Sequence, residues 1–114
     1  MIRIENKKTY KGDGFYVGRP SPLGNPFPLN AKTSRAKAIE QYREWLLKRL
    51  ETSNPTSKMF MGLVEHYRRE RIMVLICWCS VTHEKMGPPF YQCHAEVIRE
   101  FMKETVSIMG WQEG

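Results

Sequence analysis

Ile2 and Ile4 alternate with Arg3 and Glu5, the period-two pattern of a strand with one buried face. Gly12 and Gly14, on either side of Asp13, mark a turn. Phe15-Tyr16-Val17 then reads as a second short strand that stops at Gly18. Between Arg19 and Lys32 the chain carries four prolines and one glycine. No helix survives that density, since each proline fixes φ and lacks an N–H donor. The stretch is a long loop, and Leu23, Phe27 and Leu29 argue that it packs rather than floats.

Helical spacing follows Thr33 and Ser34, both good N-cap residue types. Ile39, Tyr42, Trp45, Leu46 and Leu50 fall on one face of a helix running to about Glu51. Ser53-Asn54-Pro55 stops it, and Thr56 or Ser57 is expected to cap a second helix with Phe60, Leu63, Val64 and Tyr67 turned inward. Ile72 to Cys79 is a continuous apolar run, expected to be a strand buried on both faces. After a loop from Ser80 to Gln92 containing Gly87-Pro88-Pro89, Cys93 or His94 opens a third helix. Val97, Ile98, Phe101, Met102 and Val106 form its core face, and Gly110 ends it. The order β-β-loop-α-α-β-loop-α predicts a single α/β domain over residues 1–114. Its expected architecture is a small Rossmann-like sheet, at least partly parallel, flanked by about three helices.

Composition narrows the class. The chain has 114 residues, 41% hydrophobic and 26% charged, enough to bury a core without disulfide or metal staples. The formal net charge of +6 permits phosphate or anionic partners without requiring nucleic acid. The densest positive run is Arg68, Arg69 and Arg71, broken by Glu70; a solvated helix end explains it better than a dedicated nucleic-acid patch. No apolar signal region opens the sequence and no apolar run approaches membrane length, so no membrane partner is expected. Three cysteines, an odd count, argue against a closed disulfide framework. A reducing cytoplasm is the expected location. The pattern does not fix the oligomeric state.

Chemistry concentrates in two segments. In Gly18-Arg19-Pro20-Ser21-Pro22-Leu23-Gly24-Asn25-Pro26, the glycines allow close approach and the prolines limit the freedom lost on binding. Arg19 offers a planar cationic fork, and Ser21 and Asn25 offer neutral hydrogen-bonding groups. The spacing is neither the dinucleotide fingerprint nor a Walker loop. A rigid loop that covers a sheet edge is an equally good explanation. The second segment is the cluster Cys77, Cys79, Cys93 and His94. These four could close a tetrahedral zinc site, but Cys-x-Cys within one strand is a strained chelate, so zinc is disfavoured against buried thiols. Cys93 at a helix N-terminus could be a lowered-pKa nucleophile or a ligand contact. Glu96, in the first turn, is a candidate general base or ribose-hydroxyl acceptor, or a carboxylate placed to suit the helix dipole. His66 and His83 look like ordinary surface or helix residues. In α/β sheets ligands sit outside the carboxyl ends of strands, which is where both segments are expected to meet.

At these residues the sequence resembles a family of small bacterial and phage proteins, domain of unknown function 4326. The likeness rests on Tyr16-Val17-Gly18-Arg19-Pro20-Ser21-Pro22-Leu23-Gly24-Asn25-Pro26-Phe27, on Arg35, Ala38-Ile39 and Tyr42, and on Leu75-Ile76-Cys77-Trp78-Cys79 and Cys93-His94. It spans roughly Tyr16 to Phe101 and implies an α/β domain without an established activity. Two departures stand out. The family joins its Cys-Trp-Cys and Cys-His elements by a very short link, where this chain has Ser80 to Gln92. It also follows Cys-His with Gly-Asp, where this chain has Ala95-Glu96.

The function expected from these residues is recognition of an anionic, nucleotide- or nucleoside-like ligand. Gly18, Arg19, Ser21, Gly24, Asn25, Cys79 and Cys93 would contact it, with His94 and Glu96 at sugar or base. If there is turnover, it is cleavage or transfer at a glycosidic or phosphate bond with Glu96 or His94 as acid/base. The alternatives are a sequestering or regulatory binding protein without turnover, and a basic nucleic-acid- or protein-binding module.

Overall fold

The computed structural model of the chain describes residues 1–26, 35–77 and 93–110. The expected caps Thr33 and Ser34, together with Phe27, Leu29, Trp78, Cys79, His83 and the loop from Ser80 to Gln92, lie outside the described residues.

Three strands form one sheet among the described residues: β1 (Ile2–Asn6), β2 (Phe15–Tyr16) and β3 (Met73–Cys77). The order is β1-β3-β2, and β3 pairs parallel to both neighbours, with Ile4 opposite Leu75 and Phe15 also opposite Leu75. Val17 extends the β2 pairing by one step, its N–H donating to the Ile76 carbonyl at 2.9 Å. Alternation governs burial: Met73, Leu75 and Cys77 are buried while Val74 and Ile76 are only half-buried. The expectation of a strand buried on both faces is therefore met on one face and partly on the other. Ile72 is 56% exposed and precedes the strand instead of opening it.

The helices are α1 (Arg35–Arg49), α2 (Pro55–Glu70) and α3 (His94–Ile108). Their apolar stripes behave as helical periodicity requires: Ile39, Tyr42 and Leu46, then Phe60, Leu63, Val64 and Tyr67, then Val97, Ile98, Phe101, Met102 and Val106 are all buried. Trp45 and Leu50 are only partly buried at the rim. α3 is the hub, packing against α1, α2, β1 and β3. It ends as its glycine predicts, with Gly110 at φ +84, a left-handed conformation that suits a residue without a Cβ.

The second helix corrects the expected cap. Asn54, not Thr56 or Ser57, is the N-cap; its side chain accepts from the Ser57 N–H and the Ser57 hydroxyl accepts from the Asn54 N–H. Pro55 then sits at the first helical position, where its missing donor costs nothing. That arrangement releases Thr56, which is 2% exposed and turns to the long loop.

Candidate functional site

In a parallel sheet the carboxyl ends of the strands share one edge. Here that edge carries Asn6-Lys7, Val17 and Cys77 side by side, with the Lys7 N–H donating to the Cys77 carbonyl at 2.8 Å. The proline-rich loop leaves from Val17, and α3 starts beside it.

The loop is built by two successive turns. The Ser21 N–H donates to the Gly18 carbonyl at 2.8 Å and the Gly24 N–H to the Ser21 carbonyl at 2.9 Å, with the Arg19–Pro20 bond in cis. Three helices then hold it, one side chain each. Tyr42 of α1 donates to the Leu23 carbonyl at 2.7 Å, Thr56 of α2 to the Pro22 carbonyl at 2.8 Å, and His94 Nε2 of α3 to the Val17 carbonyl at 2.8 Å. Leu23 itself is wholly buried, which contributes about 1.5–3 kcal/mol of apolar transfer and fixes the middle of the loop. The Tyr16 hydroxyl donates to the Arg19 carbonyl, and Arg19 Nε donates across the loop to the Asn25 carbonyl at 2.6 Å.

Gly24 has a structural reason to be glycine. A Cβ there would stand 2.9 Å from Arg19 N and 3.0 Å from both Arg19 Cα and Gly18 C. The close approach is made by the loop's own backbone, so Gly24 packs the loop on itself and is not the open access point the sequence suggested. Ser21 behaves similarly: its hydroxyl oxygen is shielded from solvent and has no hydrogen-bond partner among the described residues.

Across the edge, Cys93 is the N-cap of α3, its Sγ accepting from the Ala95 N–H at 3.4 Å. Cys93 Sγ and Cys77 Sγ are 3.3 Å apart, and both residues are wholly buried. His94 is 7% exposed and its ring stands edge-on to Tyr42 at a centroid distance of 5.2 Å. Since a carbonyl can only accept, Nε2 carries the proton; in the neutral ring Nδ1 is then the acceptor, 4.0 Å from Cys93 Sγ. Glu96 is 2% exposed in the first turn, where the helix dipole favours its charge. Burial, and secondarily negative charge on Cys93, push the Tyr42 phenol well above its ordinary value. Cys79 lies outside the described residues, and among those described no group of three metal-ligating side chains converges.

One cation at this edge escaped the sequence reading. Lys7 Nζ lies 4.8 Å from the centre of the Tyr16 ring. It reaches from the end of β1 across the central strand to the side of the sheet where Arg19 leaves β2. Its position directly after a strand that must run parallel to the others was the available signal.

Tyr16 to Asn25, Tyr42 and Cys93-His94, distant in sequence, thus form one contiguous structure. The chain belongs to the family described as Domain of unknown function (DUF4326). The family's profile matches residues 2–104. Neither the curated proteins nor the solved structures hold a match. The family's motif residues prove to be largely mutual partners here: Tyr42 holds Leu23, His94 holds Val17, and Gly24 accommodates Arg19. No described helix is long and apolar enough to cross a membrane.

Proposed function

We propose that this chain recognises an anionic, nucleotide- or nucleoside-like ligand at the carboxyl edge of its parallel sheet, in a reducing cytoplasm. One observation carries the reading. Seven carbonyls between Val17 and Asn25 (those of Val17, Gly18, Arg19, Ser21, Pro22, Leu23 and Asn25) already accept a donor from the protein. With those acceptors turned inward and used, the edge presents positive charge to a ligand: the guanidinium of Arg19, whose Nε also holds Asn25, and the ammonium of Lys7. Donors with positive charge select an anion, and phosphate is the oxyanion such loops suit best. Prepaid ordering by three helix side chains reduces the entropy lost on binding.

The same bonds weigh on the choice between binder and enzyme. His94 spends one ring nitrogen on Val17 and turns the other toward Cys93, which leaves Glu96 as the stronger acid/base candidate. A sequestering or regulatory binder is favoured over turnover for that reason. The basic run at Arg68, Arg69 and Arg71 closes α2 and precedes β3, so it lies toward the amino end of the central strand, opposite the loop. It does not add to this site, and a nucleic-acid-binding module gains no support from it.

The test is incubation of the purified full chain with a nucleotide and nucleoside library, followed by gel filtration, denaturation and mass spectrometry of what is released. Retention of a phosphate-bearing compound is expected. Release unchanged identifies a binder and release altered an enzyme, whereas retention of nothing anionic defeats the reading.

A further inference from the structure

The geometry points to Cys77 and Cys93 as a reversible redox pair that closes to an intramolecular disulfide when a small peroxide reaches it; this stands apart from the ligand reading. The two sulfurs are 3.3 Å apart in wholly buried side chains, one ending the central strand and the other capping α3. Disulfide closure needs them about an ångström closer, since the bond is about 2.05 Å long. The two ends are elements of the rigid core, so the approach of the thiols is built in and does not wait on loop motion.

Cys93 is the first thiol to react. Its sulfur accepts the Ala95 N–H and lies at the positive end of α3, both of which favour the thiolate. His94 Nδ1, 4.0 Å away and held by the bond from Nε2 to Val17, is placed to take the proton. The Cys93 thiolate attacks one oxygen of hydrogen peroxide and the O–O bond breaks. Cys93 becomes a sulfenic acid, and the departing hydroxide takes the proton held by His94 to leave as water. The Cys77 sulfur then attacks the sulfenic sulfur, the S–O bond breaks, and the Cys77 proton leaves with that hydroxide as a second water. Two thiols are oxidised and one peroxide is reduced to two waters. Both residues are wholly buried, so the oxidant has to be small: hydrogen peroxide, little larger than water, qualifies and a bulky disulfide reagent does not.

The experiment uses the reduced full chain, exposed to hydrogen peroxide, then denatured, its remaining thiols counted and its cross-linked peptides mapped. The chain has three cysteines, so the titratable thiols should fall from three to one and return to three with dithiothreitol. Cys79→Ser should fall from two to none and yield the Cys77–Cys93 cross-link, which separates this pair from any bond through Cys79. Cross-links only between chains, a bond to Cys79 in the native protein, or thiols that stay intact until the protein is unfolded would each overturn the assignment. Native protein and Cys79→Ser both leave Cys77 and Cys93 in place, so the result does not depend on a core substitution folding.

Discussion

His94 Nε2 lies 2.8 Å from the carbonyl oxygen of Val17, a hydrogen bond that spans 77 positions of sequence and joins the start of α3 to the root of the proline-rich loop. Both groups are buried, so removing the imidazole strands a carbonyl and leaves a hole where the ring met Tyr42. His94→Ala should therefore cost about 2–4 kcal/mol. For a domain of this size that lowers Tm by on the order of 10 °C or more. Denaturant unfolding should show a lower midpoint at an unchanged slope. A variant as stable as the parent would return His94 to the role of an uncommitted acid/base.

Two glycines should respond to the same substitution with opposite signs. At Gly24 an added Cβ meets backbone atoms of Gly18 and Arg19 at about van der Waals overlap, with nothing flexible to give way. Gly24→Ala is expected to destabilise by about 1–3 kcal/mol. At Gly62, in the middle of α2, a Cβ would meet nothing within 4 Å. Gly62→Ala should stabilise by about 0.5–1 kcal/mol, through helix propensity and a less free unfolded chain. Thermal melts of the two variants beside the parent decide it.

Much of this was legible because periodicity reports burial. The stripe on α3 and the alternation in β1 name their core residues correctly, and the carboxyl-edge meeting of Val17 with Cys93-His94 follows from a parallel sheet. What was not legible is which partner each polar group chooses. Nothing in the spacing shows that the Tyr42 hydroxyl goes to Leu23 or Thr56 to Pro22, because those bonds join segments 19 and 34 residues apart. The misplaced cap on α2 has the same origin: Asn54, Thr56 and Ser57 are all acceptable cap types, and only the position of Pro55 at the first helical residue settles the choice. Gly24 was read as an opening because a glycine looks the same whether ligand or loop fills its space.

Arg19 now carries two jobs that substitution can separate. Its Nε–H holds the Asn25 carbonyl, while its charge serves an anion. Arg19→Ala should lose about 0.5–1.5 kcal/mol of stability as well as ligand affinity. Lys7→Gln removes an exposed cation that packs over the face of Tyr16, and should leave Tm almost unchanged. Each variant is expected to weaken phosphate-bearing ligands about tenfold, equivalent to roughly 1.4 kcal/mol. Calorimetric titrations at two salt concentrations should also show a shallower salt dependence for Lys7→Gln, since one exposed charge is gone. Undiminished affinity in both variants would remove the cationic edge from the site.

Tyr42 sets an alkaline limit on the fold. Its phenol is buried against His94 and donates to Leu23, and burial first, with negative charge on Cys93 second, raises its pKa above the unfolded value of about 10. The stability linked to that shift is complete below the unfolded pKa. Above it the unfolded chain releases the proton while the folded chain keeps it, so stability falls as pH rises beyond about 10. Denaturation midpoints from neutral pH to about pH 11 should decline over the upper part of that range. Tyr42→Phe should start lower by about 1–3 kcal/mol, because the Leu23 carbonyl loses its donor, and should decline less steeply. Parallel curves for parent and variant would show that the phenol titrates alike in both states, contrary to its burial.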